Sequence, residues 1–144
     1  MSQTSAEPIR LPIRKDTDLT AVRQHVRALA QRVGFGLVQQ TKLVTAASEL
    51  ARNTLLHGGG GMAQISLVHG ERGQGLSVSF VDSGPGIPDV GLALSDGYST
   101  AGGLGMGLSG SRRLVHDFDL KSDPEGGTEV TITCWNDSLR RGFR

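Results

Sequence analysis

Two stretches of strict alternation constrain this chain most. In "LSVSFVD", Leu76, Val78 and Phe80 point one way and Ser77 and Ser79 the other. In "EVTITCW", Val130, Ile132 and Cys134 oppose Glu129, Thr131 and Thr133. A period of two with small polar residues on one side specifies strands that bury one face and wet the other. Such a sheet needs a cover for its apolar face, and the helical segments supply it. "DTDLTAVRQHVRALAQRVGFG" carries Leu19, Val22, Val26, Leu29 and Val33 at helical spacing, with Asp16 as N-cap and Gly34 as stop. "LVQQTKLVTAASELARNTLLHG" reads as a longer helix ending at Gly58. "LGMGLSGSRRLVHDF" reads as a third.

The remaining segments complete the order. "PIRLPIR" is an edge strand, because Pro12 lacks the N–H a central strand needs. "MAQISLVHG" and "GLSVSFVD" form a hairpin around "GERGQG", and "DLKS" and "TEVTITCW" form another around "DPEGG". Residues 83–103 are a Gly/Pro/Ser-rich loop with room for a helical turn in "VGLALSDG". The expected fold is α+β: a two-layer α/β sandwich, its mixed and mostly antiparallel sheet covered by helices on one face. No repeat or linker divides the 144 residues, so they are expected to form one domain, frayed at 1–7 and 136–144.

Composition excludes several functions. A formal net charge of +1 and few aromatic residues give no case for nucleic acid. The single cysteine, Cys134, forms no internal disulfide and fits a reducing compartment. "MSQTSAEPIR" has no apolar core of a signal peptide, and no apolar run approaches a membrane span, so a cytoplasmic protein is expected. His25, His57, His69 and His116 are not clustered as metal ligands. Neither Ser109 nor Ser111 sits in a G-x-S-x-G elbow.

Four constellations carry chemistry. On the second helix, Leu43, Ala47, Leu50, Ala51 and Thr54 share one side, Thr45 and Arg52 lie opposite, and Glu49 and Asn53 fall between them at i and i+4. A carboxylate and a carboxamide at a core's edge suit Mg²⁺, which takes one or two protein oxygens besides phosphates and water. The Glu can instead orient or deprotonate a hydroxyl, and an ordinary solvated pair satisfies the same pattern. In "VDSGPGIPDV", Asp82 ends an apolar strand before Gly84 and Gly86. It either starts an Asx-turn or accepts a hydrogen bond from an amine such as that of adenine. "GGLGMGLSG" precedes a helix and offers backbone N–H groups to phosphate, or simply connects elements. Its formal G-x-G-x-x-G at Gly105, Gly107 and Gly110 follows no strand, and no Gly-Lys-Ser/Thr follows it, so neither a dinucleotide fold nor a P-loop is implied. In "DPEGGTEVTI", Thr128 either joins Asp82 around a base or merely opens a strand.

In this order, "SELARN", "DSGPGIP", "GGLGMGL" and "GGTEV" resemble the N-box, the G1 and G2 boxes and the closing motif of the GHKL (gyrase, heat-shock 90, histidine kinase, MutL) or Bergerat ATP-binding fold. The resemblance covers nearly the whole chain. It implies ATP or ADP with Mg²⁺ as cofactors. Asn53 would ligate the metal, Asp82 would bind the adenine amine, and Thr128 would support it. Gly84, Gly86 and Ile87, with Gly102, Gly103, Leu104, Gly105, Met106, Gly107 and Leu108, would shape the pocket and a moving lid.

No phosphoacceptor-histidine helix before the domain and no transducer domain after it are apparent. With the short lid, "ASELARN", "DSGPGIPDV" and "DGYSTAGGLGMGL", this looks like the RsbT-type serine/threonine switch kinases and anti-sigma regulatory factors. That likeness implies a stressosome-type partner-switching kinase. Glu49 would be its catalytic base, and STAS-domain antagonist or scaffold proteins its substrates. A PP2C-type phosphatase would be a downstream partner. The alternatives are an anti-sigma factor gated by nucleotide and a non-catalytic adaptor that activates a phosphatase. Tyr98, Ser99 and Thr100 are read as solvated loop or partner-facing. Arg112 and Arg113 start a basic patch that either is simply solvated or meets phosphate or an acidic surface.

Overall fold

The computed structural model describes residues 3–4, 7–84, 107–123 and 126–136. Strand β1 (Gln3–Thr4) and strand β2 (Ile9–Ile13) precede helices α1 (Asp16–Val33) and α2 (Leu37–Leu56). Strands β3 (Gly61–Gly70) and β4 (Gly73–Asp82) follow, then the short helix α3 (Gly107–Arg113), and last strands β5 (Asp117–Asp123) and β6 (Gly127–Trp135). The sheet runs β1-β3-β4-β6-β5, with β2 sharing the β1 edge of β3, and every described ladder is antiparallel. Pro12 lies on β2 and so on an edge, as its missing N–H requires.

Both helical patterns bury the stripes read from the sequence. Val22, Val26 and Ala30 of α1 and Leu43, Ala47, Leu50 and Ala51 of α2 pack in one core with Ile65, Val78, Phe80 and Ile132 from the sheet. Each such aliphatic side chain removed from water contributes about 1.5–3 kcal/mol. Ala46, Ala47 and Ala51 are fully buried, and their small volume lets α2 lie close against its neighbours. On the helix-free face, Ser79 and Thr131 hydroxyls meet at 2.9 Å and Thr133 donates to Ser77 at 3.2 Å, so cross-strand pairs satisfy the polar side.

Three boundaries differ from expectation. Helix α1 is capped by Asp18, whose Oδ2 accepts the backbone N–H of Arg14 at 2.8 Å and of Lys15 at 3.2 Å; Asp16 is already helical. The third helix stops at Arg113, not Phe118. Leu114, Val115 and Phe118 fit a helical stripe, but Phe118 and Leu120 also alternate with Asp117, Asp119 and Lys121, and the ladder to β6 wins. Gln3–Thr4, expected to fray, pair with His69 and Val68.

The α1 stop is as read. Gly34 takes φ +93, its N–H bonds to Gln31 O at 3.0 Å, and Phe35 N–H bonds to Ala30 O at 3.0 Å, a Schellman ending. Cys134 is buried on the core face, and burial pushes its thiol pKa up, as suits a packing residue rather than a nucleophile.

Candidate functional site

Residues from four elements meet at the C-terminal end of α2. Strand β4 is central, between β3 and β6, and its last residue, Asp82, follows Leu76, Val78 and Phe80 in parity. Its carboxylate therefore points to the helix-covered side, where it is half-buried. Opposite it in register stands Thr128, the residue across from Asp82 on β6. Thr128 Oγ1 lies 3.2 Å from Ser122 Oγ on β5. Two of the sequence-derived candidates, 46 residues apart in the chain, are thus direct cross-strand neighbours. Ser122 is a third polar group beside them that sequence reasoning missed. Its only local signal is the polar position after Leu120 in an alternating strand.

The end of α2 meets this pair backbone to side chain. Asn53 carbonyl accepts the N–H of His57 at 2.9 Å and of Gly58 at 3.2 Å, which carries the chain sharply out of the helix. Gly58 then lies against Asp82: a Cβ there would stand 2.6 Å from the Asp82 Cβ and collide with its carboxylate. Gly84 lies against Gly58 in turn, and a Cβ on Gly84 would be 2.6 Å from Gly58 O. Gly84 was expected to make room for a nucleotide; what it makes room for here is Gly58, which was read only as a helix stop. The run of glycines after His57 was the available signal.

Asp82 performs the local role as well as facing the site. Its Oδ1 accepts the Gly84 N–H at 2.9 Å, an Asx-turn. The turn fixes the carboxylate's orientation and occupies one oxygen, leaving the other oxygen to a ligand donor. Glu49 and Asn53 are half-buried on the flank of α2, with Thr45 and Arg52 exposed beyond them, as the helical spacing required. They sit one turn apart, about 6 Å along the axis. Leu108, at the start of α3, packs against the core. Gly107 opens that helix. Gly86, Ile87, Gly102, Gly103, Leu104, Gly105 and Met106 lie outside the described residues, as do Tyr98, Ser99 and Thr100.

The donor set suits a nucleotide with Mg²⁺. No group of three or more His, Cys, Asp or Glu side chains forms a metal cage among the described residues. Asn53 instead offers the single oxygen ligand that Mg²⁺ accepts when phosphates and water complete its shell, with Glu49 one turn away to meet a hydroxyl. Gly58 and Gly84 pack too closely against Asp82 and against each other for either to carry a side chain.

One result follows directly. Gly58→Ala keeps an ordinary backbone, since Gly58 is not among the positive-φ glycines, so its effect is contact rather than strain. Displacing Asp82 is expected to weaken ATP binding by about tenfold or more, the worth of one charge-assisted hydrogen bond. Calorimetric titration checks it, and an unchanged affinity would separate the Gly58–Asp82 contact from binding.

Comparison with known proteins identifies the family. The family model described as "Histidine kinase-, DNA gyrase B-, and HSP90-like ATPase" matches residues 38–137. The chain is 44% identical over 123 residues to the serine/threonine-protein kinase RsbT of Bacillus subtilis, spanning 85% of this chain and 92% of that one. It is 31% identical over 118 residues to the anti-sigma F factor of Bacillus licheniformis, spanning 77% and 80%. A crystal structure of the RsbU and RsbW domains of a Mycobacterium tuberculosis protein superposes with a TM-score of 0.63 at 20% identity. That match covers 90% of this chain and 32% of the longer one, and it speaks to the fold alone. The chain belongs to the histidine kinase-, DNA gyrase B- and HSP90-like ATPase family, in its serine/threonine-protein kinase branch.

Proposed function

We propose that this chain transfers the γ-phosphate of ATP to a serine or threonine hydroxyl of a STAS-domain partner, within a bacterial partner-switching pathway. The observation that carries the reading is the Asp82–Thr128 cross-strand pair closing the end of the helix that bears Glu49 and Asn53. The 44% identity to a serine/threonine-protein kinase supports the reaction type. The same reading takes a PP2C-type phosphatase as the downstream partner.

In this mechanism Asp82 accepts a hydrogen bond from the adenine amine on the oxygen that Gly84 leaves open, and Thr128 supports the base directly or through water. Asn53 would hold Mg²⁺ through its side-chain oxygen, and the bound ion would supply positive charge to the phosphates. Glu49 orients the partner's hydroxyl and accepts its proton as the oxygen attacks. The family resemblance assigns the γ-phosphate to the glycine-rich stretch 102–107, of which 102–106 lie outside the described residues. Among the described residues no helix is long and apolar enough to cross a membrane. The 31% identity to an anti-sigma F factor favours one second reading, in which nucleotide gates sequestration of a sigma factor.

Labelled ATP mixed with the purified chain and a STAS-domain protein tests the proposal. Label is expected on a partner Ser or Thr, and Asn53→Ala is expected to abolish it along with Mg²⁺-dependent ATP affinity. Partner binding with no label under any nucleotide condition would overturn phosphotransfer and leave the fold untouched.

A further inference from the structure

At the opposite end of α2 from Asn53 lies a second feature. A groove of about 740 Å³ opens between the first turns of α2 and the segment that leaves α3. Lys42 on its wall stands eleven residues before Asn53 (a helical distance of about 16 Å), so the groove is separate from the nucleotide site.

Three properties describe what fits there. Its walls are aliphatic: Leu37 and Val38, side by side at the helix start, are 78% and 69% exposed. Among the described residues its charge has one sign, since Lys42 and Arg113 line it and no described acidic residue does. The positive end of the 20-residue helix α2 adds to them, because Gly36 makes no side-chain cap and no acid occupies the first turn. Its floor is fixed. Gln39 Nε2 donates to Trp135 O at 3.0 Å, and Asn136 Nδ2 donates to Val33 O at 2.7 Å, joining β6 to both long helices. A preformed concave site loses less on binding than one that must be ordered.

We propose that this groove docks an acidic, aliphatic segment of a partner protein. Its carboxylates meet Lys42 and Arg113 and its aliphatic side chains cover Leu37 and Val38. Charge complementarity selects this occupant. The chain's own residues 137–144 carry Arg140, Arg141 and Arg144 against one acid, Asp137, and so repeat the groove's sign rather than complement it. The basic patch that starts at Arg112 and Arg113 thereby gains a use that phosphotransfer does not require. The proposal stands independently of that reaction.

The test uses a fluorescein-labelled synthetic peptide of repeated Glu-Leu-Asp triplets with blocked ends. One control peptide has Lys for every acid, and another has Ser for every Leu. Saturable binding to the intact chain is expected by anisotropy, weaker for both controls. Lys42→Glu with Arg113→Glu is expected to weaken it at least about tenfold, and Leu37→Ser with Val38→Ser comparably, while both variants retain ATP affinity. Amide shift changes in the labelled protein are expected at 36–42 and 113–116. No saturable binding, equal binding of the lysine peptide, or indifference to charge reversal would overturn the proposal. Shifts centred on Asn53 and Asp82, or self-association of the chain through the groove, would also overturn it.

Discussion

Glu49→Gln is expected to slow phosphorylation of a protein hydroxyl by about two to four orders of magnitude while leaving ATP affinity within about twofold of the parent. The range is what a positioned general base contributes. The substitution is chosen for its shape. Gln fills the same half-buried position on the α2 flank beside Asn53, so packing and the local backbone persist. What it removes is the proton acceptor. Single-turnover transfer from labelled ATP measures the rate, and calorimetry measures binding. A rate within about threefold of the parent would remove Glu49 as the base. Loss of ATP affinity in step with the rate would place Glu49 among the nucleotide contacts instead.

The second large effect is expected at Asp82. Asp82→Asn should weaken ATP binding by about 10–100-fold, the cost of replacing a charged acceptor by a neutral group that also presents a donor. The carboxamide oxygen still accepts the Gly84 N–H, so the Asx-turn and the β4 end are retained and thermal stability should change little. The amide NH₂ then faces the exocyclic amine of adenine, donor against donor. The same change should narrow the preference for ATP over GTP, since the acceptor that reads an amine is gone. Titration with both nucleotides checks this. Unchanged ATP affinity would take Asp82 out of the site.

Much of this arrangement was legible in the sequence because it is local. The α2 wheel placed Leu43, Ala47 and Leu50 in the core and left Glu49 and Asn53 on its flank, since a period of 3.6 leaves little freedom once one face is apolar. Pro12 marked an edge by chemistry alone. The pairing of Asp82 with Thr128 is different. It depends on the register of β4 against β6, which no residue near either position encodes, and it was reached through resemblance of motifs. Gly58 and Ser122 were missed for the same reason: their meaning comes from neighbours 24 and 6 residues away, on other strands. At the α3–β5 boundary two periods overlapped, and the ladder decided between them. The groove at Lys42 and Arg113 joins three distant segments and has no local pattern.

The two borders of the sheet have a bearing on how such a protein can be used. One border is shared by β1 and β2, the latter carrying Pro12; the other is β5, "DFDLKSD", where Asp117, Asp119, Lys121 and Asp123 are exposed. Imino residues and charge are what deter a foreign strand from stacking on an open border. A kinase that meets one protein after another needs encounters that come apart. With sheet growth discouraged at both sides, its contacts are left to side chains, whose grip can be released, rather than to a continuous hydrogen-bonded ribbon that would lock two chains together.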